Sequence, residues 1–264
     1  MRCFLAMKQF RLDGKTALVC GASQGIGAAI AREFSAAGAA VILVARNEAK
    51  LGEVLRSLEG KNHQVIACDL AEPAAVAALC DKLKAEAISI FINNSAGPKG
   101  GGLAEASLSE FPAAFQTHLL AAHQILQAIL PGMKNNSFGR VINILSTSVK
   151  APIANLGVSN TVRGAVAQWS KTLASELGPF GITVNNILPG FTRTDRYEQL
   201  KALTAKRMGK TEVEVEKLWL SQIPSGRIGE PQELAAAALF LASPAGSYVN
   251  GINLPVDGGR TPGL

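Results

Sequence analysis

The sequence predicts an α/β protein built on one doubly wound parallel β-sheet. Short apolar runs rich in β-branched residues alternate with longer segments of helical period along the whole chain. A glycine-rich turn follows the first of these runs and opens a helix. No Pro/Gly/Ser-rich linker, internal repeat or low-complexity tract divides the 264 residues. We therefore expect a single domain over residues 1–264.

Seven runs have the composition of strands. In order they are TALVCGA, AAVILVAR, HQVIACDL, ISIFINNSA, GRVINILS, GITVNNILPG and GINLPVDGG. Helices are predicted to begin near Gly25, Asn47, Pro73, Leu108, Asn155 and Pro231. This alternation forms βαβ units, which place helices on both faces of the sheet. Residues 195–225 interrupt it with a charged helical pattern, so we predict a substrate lid over the carboxyl edge of the sheet, where such folds bind ligands.

Composition and charge exclude several classes of protein. Apolar residues make up 48% and charged residues 17%, which is typical of a folded globular chain. Apolar stretches such as LAAAALFLA are shorter than the roughly 18 residues of a membrane span. The opening segment lacks the features of a secretory signal, so we expect a cytoplasmic protein with no membrane partner. A net charge of +6 without a basic, aromatic block argues against nucleic acid and suits an anionic ligand.

The cysteines and histidines indicate neither disulfides nor a metal. Four cysteines form no C-x-x-C pair and are expected to be reduced thiols, two of them within buried strands; they are Cys3, Cys20, Cys68 and Cys80. The three histidines are scattered along the chain and predict no metal site; they are His63, His118 and His123.

The turn between the first strand and the first helix is the strongest local signal for nucleotide binding. Gly21 permits a tight turn, Gly25 lets backbone N–H groups approach a pyrophosphate, and Gly27 allows the helix to pack closely on the strand. The helix N-terminus adds positive potential. The predicted cofactor contacts in this turn are Gly21, Ser23, Gln24, Gly25, Ile26 and Gly27.

From Leu12 to Gly259 the chain resembles the short-chain dehydrogenase/reductase family. The turn has the family spacing G-x-x-x-G-x-G, CDL resembles its adenine-side motif, NNSAGP its N-N-A-G element, and LPGFTRTD its P-G-x-x-x-T cofactor loop. The segment SGRIGEPQELAAAALFLASPAGSYVNGINLPVDGG is also close to the family pattern. The cofactor-binding residues that these motifs add are Asp69, Leu70, Asn94, Pro189, Gly190, Thr192 and Thr194.

The resemblance implies a Rossmann-like fold, a nicotinamide cofactor and oxidoreductase activity. The chain is most similar to 3-oxoacyl-acyl carrier protein reductase-like members of the family. That likeness implies a small carbonyl or acyl substrate, acyl carrier protein as a candidate partner, and a homotetramer as the default assembly.

The end of the second strand predicts NADP(H) rather than NAD(H). An NAD enzyme places an acidic residue there, to accept hydrogen bonds from the adenosine ribose. This chain has Ala45 at that position, followed by Arg46, whose guanidinium can bind a 2′-phosphate. The basic residue that many NADP-binding members carry in the glycine turn is replaced by Gln24.

The catalytic positions depart from the family pattern. In the family a Ser holds the carbonyl oxygen, a Tyr gives the proton, a Lys lowers the Tyr pKa and an Asn organises water. Ser146 stands at the Ser position, but Ser159 stands at the Tyr position and Arg163 at the Lys position. His118 falls at the Asn position. The segment WSKTLASELGPFGITVNN, which matches the family without a gap, fixes this alignment.

The exchange preserves geometry but changes chemistry. Ser159 and Arg163 are four apart on a helix and share one face. A serine hydroxyl donates a hydrogen bond but is a poorer proton donor than a phenol, and arginine stays charged. The other candidate groups are Lys150, open between a substrate-side role and an ordinary loop lysine, and Tyr197 in the lid. For His118 a core role is favoured over proton transfer, and Tyr248 is expected to be structural.

Two functions remain open at this point. One is an NADP(H)-dependent oxidoreductase that reduces a carbonyl or oxidises the alcohol, with Ser146, Ser159 and Arg163 as an anion-stabilising cluster and water or Lys150 as the proton source. The other is a non-catalytic dinucleotide-binding sensor or partner subunit that keeps the fold.

Overall fold

Seven parallel strands form one sheet in the order β3-β2-β1-β4-β5-β6-β7. The computed structural model describes residues 8–263. The strands are β1 Thr16–Cys20, β2 Ala40–Ala45, β3 Gln64–Ala67, β4 Ile88–Asn93, β5 Gly139–Ile144, β6 Ile182–Pro189 and β7 Asn253–Val256. This sheet, with helices on both faces, confirms the predicted fold class.

Nine α-helices connect or follow the strands in the described part of the chain. They are α1 Gly25–Ala36, α2 Glu48–Arg56, α3 Pro73–Leu83, α4 Glu110–Phe115, α5 Ala121–Asn135, α6 Gly157–Leu177, α7 Asp195–Met208, α8 Glu212–Leu220 and α9 Pro231–Ala242. A single π-helical turn, Gln116–Leu120, joins α4 to α5. The predicted starts at Leu108 and Asn155 are each two residues early; Asn155 has a left-handed φ of 60°, which cannot begin a helix.

The sheet is buried on both sides. On one face α1, α2 and α9 pack against apolar side chains of the strands, with Phe34, Leu51 and Leu241 fully buried. On the other face α3, α5 and α6 form a second core around Phe91 and Ile125. Because parallel strands all end at the same edge, this arrangement brings the loops after β1 to β6 together.

Four asparagines in this second face form a ladder across the sheet. Asn93, Asn143, Asn186 and Asn253 are in register on neighbouring strands β4 to β7. Each amide donates to the next, with Nδ2 to Oδ1 distances of 2.8, 3.0 and 2.8 Å. Ser170 of α6 joins the ladder, since its hydroxyl accepts from Asn143 and donates to Asn186. The ladder therefore satisfies buried amides and ties α6 to the sheet.

The predicted lid segment contains α7 and α8, which pack around an aromatic cluster. Phe191 stacks on Trp219 with ring centroids 4.5 Å apart, and Tyr197 packs edge-on against Trp219. The Tyr197 hydroxyl donates to Glu216 at 2.9 Å. Thr211 begins α8 with a capping box to Glu214. These contacts hold the two helices together as one packed unit.

The sulfur chemistry agrees with the prediction where the structure describes it. Cys20, Cys68 and Cys80 are buried and free, and burial raises the pKa of each thiol. Cys3 lies outside the described residues. Among residues 8–263 no helix is long and apolar enough to cross a membrane, and no cluster of acidic, histidine and cysteine side chains suits a metal ion.

We predict that Asn143→Ala lowers the free energy of unfolding by about 2–3 kcal/mol, because it leaves buried amides of the ladder without partners. Urea denaturation followed by circular dichroism measures the change. Asn136→Ala, at an exposed position at the end of α5, serves as the control and should stay within about 0.5 kcal/mol of the parent. Equal stability of the two variants would show that the ladder contributes nothing.

Candidate active site

The glycine turn lies between β1 and α1 and presents an open helix N-terminus. Gln24 is the N-cap residue of α1, but its side chain makes no capping hydrogen bond, and the first turn of the helix holds no acidic residue. The leading N–H groups of α1 are therefore available to a ligand. Such an end suits a pyrophosphate, because the N–H groups and the helix dipole both favour an anion. The residues present fit the dinucleotide that the motif predicts.

Close packing explains two of the three glycines. A Cβ at Gly27 would lie 2.2 Å from the carbonyl oxygen of Gly21, and one at Gly21 would lie 2.6 Å from Asn94 Nδ2. Asn94, which follows β4, donates to the carbonyl oxygens of Cys20 and Gly21 at 3.3 Å. Asn94 thus anchors the turn to the centre of the sheet, which is a structural role beside its predicted cofactor contact.

The remaining predicted cofactor residues lie at the same edge of the sheet. Arg46 follows β2 and reaches Asp69, after β3, at 3.8 Å. Leu70 beside it is buried. The loop after β6 carries the other four residues, Pro189, Gly190, Thr192 and Thr194. Thr194 caps α7, and its methyl group lies 3.3 Å from where a Gly25 Cβ would be, so this loop closes against the glycine turn.

Ser159 and Arg163 lie together on α6, as predicted from their spacing. Arg163 Nε donates to Ser159 Oγ at 3.2 Å, and Nη1 donates to the carbonyl oxygens of Leu145 at 2.7 Å and Ile144 at 3.2 Å. Nη2 points toward the loop after β4, 3.3 Å from where a Gly97 Cβ would be. The guanidinium is therefore held in one orientation by the end of β5.

Arg163 carries a buried charge without an acidic partner. Its residue is only 8% exposed, and no described carboxylate forms an ion pair with it. Burial, followed by repulsion from Arg196, lowers the pKa of Arg163 to about 10, so the side chain stays charged at neutral pH. A buried cation of this kind is stabilised by an anion. The buried charge of Arg163 therefore favours an anionic group beside it.

Ser146 follows Leu145 directly and adds a further donor. Its hydroxyl oxygen accepts from the backbone N–H of Ser148 at 3.1 Å. Neither this hydroxyl nor that of Ser159 donates a hydrogen bond to another described residue. The two hydroxyl protons and the N–H groups of Arg163 Nη2 therefore have no acceptor among the described residues, and donors of these types can bind a negatively charged oxygen.

His118 lies in the π-helical turn between α4 and α5 and is buried. Its Nδ1 is 2.7 Å from the hydroxyl of Ser95, and its backbone carbonyl is 3.5 Å from Asn93 Nδ2. Burial, with the charge of Arg163 second, lowers the pKa of His118 to about 3. The imidazole is therefore neutral at neutral pH and supplies no proton from a charged form. Such turns are frequent at functional sites.

The other candidate groups are not brought into this cluster. Lys150 is exposed at the end of a short 3₁₀ turn that follows Ser146. Tyr197 is buried in α7, within the predicted lid segment, where burial and its bond to Glu216 raise its pKa. Tyr248, for which a structural role is predicted, is fully exposed in this chain. These are the two tyrosines of the sequence, so neither stands in for the missing phenol.

Sequence reasoning missed two groups at this edge. Ser95, which occupies an extra position in NNSAGP, contacts His118, and Lys50 contacts Gln24 in the glycine turn. The sequence did mark Ser95 as unusual, because a serine at this point departs from the N-N-A-G element. Lys50 had none, because its contact joins segments that are distant in sequence.

The chain resembles known proteins along almost its whole length. A family profile described as enoyl-(acyl carrier protein) reductase matches residues 21–261. The chain belongs to the short-chain dehydrogenase/reductase family. It is 34% identical over 252 residues to 3-oxoacyl-[acyl-carrier-protein] reductase FabG of Vibrio cholerae, covering 94% of this chain and 98% of that protein. It is 32% identical to the NADPH-dependent reductase BacG of Bacillus subtilis, covering 94% and 98%.

A solved structure gives the same result. L-sorbose reductase from Gluconobacter frateurii, complexed with NADPH and L-sorbose, superposes with a TM-score of 0.90 at 29% identity, over 97% of this chain and 100% of that one. The family is one of oxidoreductases, and its named relatives here are reductases. The chain therefore belongs to a family of oxidoreductases.

We predict that His118 makes stability pH-dependent. Because its folded pKa of about 3 lies below the ordinary value of 6.5, the unfolded chain binds the proton first as pH falls. The contribution is present above pH 6.5 and is lost toward pH 3, by about 1.4 kcal/mol per pH unit. Denaturation at pH 7, 6 and 5 should show a shallower pH dependence in His118→Gln. His123→Gln, on the exposed side of α5, should behave like the parent; identical slopes in all three would contradict the assignment.

Proposed function

We propose that the protein is an NADP(H)-dependent oxidoreductase that reduces a carbonyl compound, of 3-oxoacyl type or related to it, with an atypical active site. The observation that carries this proposal is the free donor set of Ser146, Ser159 and Arg163 at the edge that also holds the glycine turn. An oxyanion site beside a nucleotide site is what carbonyl reduction requires. Acyl carrier protein is a candidate carrier of the substrate, and a homotetramer a candidate assembly.

Each residue has a distinct part in the reaction. The reduced nicotinamide, when bound, supplies the hydride for the carbonyl carbon. Ser146 and Ser159 donate hydrogen bonds to the carbonyl oxygen, and the charge of Arg163 stabilises the negative charge that develops there. Arg163 does not release its proton, because it remains charged at neutral pH. Because Arg163 keeps its proton and His118 is neutral, the proton on the product oxygen comes from solvent water.

This site has a serine where the family pattern has the tyrosine that acts as the general acid, and this exchange lowers the expected rate of reduction. A positioned general acid contributes about 10²–10⁴ in rate, or about 3–5 kcal/mol of barrier. We therefore expect slow turnover on simple ketones. A good substrate is one that brings its own polar or acidic group close to the oxygen.

A second candidate function is a dinucleotide-binding sensor or partner subunit without turnover. The specific support is that both tyrosines lie elsewhere and that His118 is neutral. Nucleotide binding alone does not separate this function from an enzyme, because both keep the glycine turn. Turnover separates them.

We predict that the protein binds NADPH more tightly than NADH, and that it oxidises NADPH in the presence of some member of a panel of β-ketoesters, β-ketoacyl thioesters and ketoses. Nicotinamide fluorescence measures binding, and absorbance at the nicotinamide band measures turnover. Binding without turnover on the whole panel would favour the sensor. A failure to bind either dinucleotide would refute both functions.

We also predict that Ser159→Tyr combined with Arg163→Lys increases reduction of a β-ketoester by about 10²-fold or more, because the pair restores a phenol and an ammonium at the family positions. Steady-state rates with saturating NADPH test this. Ser175→Tyr with Lys171→Arg, on an exposed part of the same helix, is the matched control and should not gain activity. If the double variant folds, binds NADPH and stays inert, the site is misplaced.

A further inference from the structure

The exposed side chain of Lys50 contacts the glycine turn from the first turn of α2. The backbone N–H of Lys50 donates to Asn47 Oδ1 at 3.0 Å, which fixes the start of the helix. The ammonium group then crosses to the turn, where Nζ donates to Gln24 Oε1 at 3.0 Å. This contact joins two residues that are 26 positions apart. A cation thus stands beside the one position in the turn where a basic side chain is missing.

The charges around Lys50 leave it available to an anion. An ammonium has three N–H donors, and Gln24 takes one of them. No described carboxylate forms an ion pair with Lys50, while Arg46 lies 3.8 Å from Asp69. The side chain of Arg46 is 72% exposed, so its long ion pair with Asp69 is weak, and an anionic ligand can replace Asp69 as its partner. Two cations four residues apart therefore border the end of β2 beside the turn.

Gln24 holds the ammonium without neutralising it. Its amide oxygen is a neutral acceptor, so the full positive charge of Lys50 remains. A carboxylate in the same place would cancel that charge and repel a phosphate. The neutral partner therefore suits a site that must keep a positive potential for a dianionic group.

Resting on the proposed function, we propose that Lys50 is a specificity-determining residue that binds the 2′-phosphate of NADP(H) together with Arg46. Gln24 is a positioning residue, which keeps the ammonium over the turn. A phosphate monoester offers three acceptor oxygens, enough for the guanidinium fork of Arg46 and the remaining donors of Lys50. Discrimination between the two dinucleotides thus depends on a helix residue that supplies the cation the turn lacks.

The test compares ligands that differ only in the 2′-phosphate. Adenosine 2′,5′-bisphosphate and AMP are titrated by calorimetry, and NADPH and NADH by nicotinamide fluorescence, into the full-length protein. In Lys50→Gln we expect about tenfold weaker binding of both 2′-phosphorylated ligands, the loss of one charge-assisted contact, and less than about twofold change for AMP and NADH. Lys50→Arg should keep most of the preference. Lys61→Gln, an exposed lysine in the loop before β3, should change neither ligand class.

Gln24→Glu tests the positioning role without touching a cation. The added carboxylate should weaken NADPH binding more than NADH binding, because it pairs with Lys50 and faces the phosphate. Equal weakening of both ligand classes in Lys50→Gln, or no change, overturns the inference. Parent protein that binds AMP and adenosine 2′,5′-bisphosphate equally well also overturns it. Parent protein that binds no adenine nucleotide at all instead refutes the proposed function.

Discussion

The site depends on the asparagine ladder that crosses β4 to β7. A buried amide needs hydrogen-bond partners, and here the amide nitrogens of Asn93, Asn143 and Asn186 each donate to the amide oxygen of the asparagine on the next strand. A shift of one residue between any two strands would turn an amide to the other face and leave its neighbour unpaired. The ladder therefore fixes the relative register of these strands. That register sets where each strand ends, and so where Asn94, Ser146 and the loop after Pro189 lie along the carboxyl edge of the sheet.

The same ladder connects the sheet to the helices that carry the chemistry. Ser170, seven residues after Arg163 on α6, accepts a hydrogen bond from the ladder, and Asn93 donates to the carbonyl of His118 in the π-helical turn. Arg163 is in turn held by carbonyls at the end of β5. Ser159 and Arg163 thus lie on a helix that is tied to the sheet, and Ser146 lies in the short loop directly after β5. A preorganised set of donors stabilises developing charge without reorganising when it forms, which is the condition for an effective oxyanion site.

The fold was predictable because it follows from periodicity and from glycine geometry, both of which are local. The glycine turn and the shared helix face of Ser159 and Arg163 follow from such local patterns, whereas β1 and β3 end at Cys20 and Ala67, before their apolar runs do. The burial of Tyr197 against Trp219 could not be predicted from the sequence, since it depends on how α7 and α8 pack. The contact between Ser95 and His118 depends on a π-helical turn, which no residue pattern announced. One available signal was overlooked: an asparagine recurs in four apolar runs that otherwise contain buried residues.

The two exchanged residues on α6 also satisfy each other. Ser159 Oγ accepts the Nε proton of Arg163, and this contact is buried. A lysine at position 163 would have no Nε–H to donate to Ser159. It would also lack the guanidinium, which bonds the carbonyl oxygens of Leu145 and Ile144. A tyrosine alone at position 159 would carry its oxygen away from the helix and leave Nε without an acceptor, which costs about 1–3 kcal/mol when buried. Neither single exchange is therefore independent of the other. Ser159 and Arg163 are hydrogen-bonded to each other, fixed in orientation and still have free N–H and O–H donors. This is the organisation of a binding site for negative charge. A site that had only lost its tyrosine would have no need to keep it.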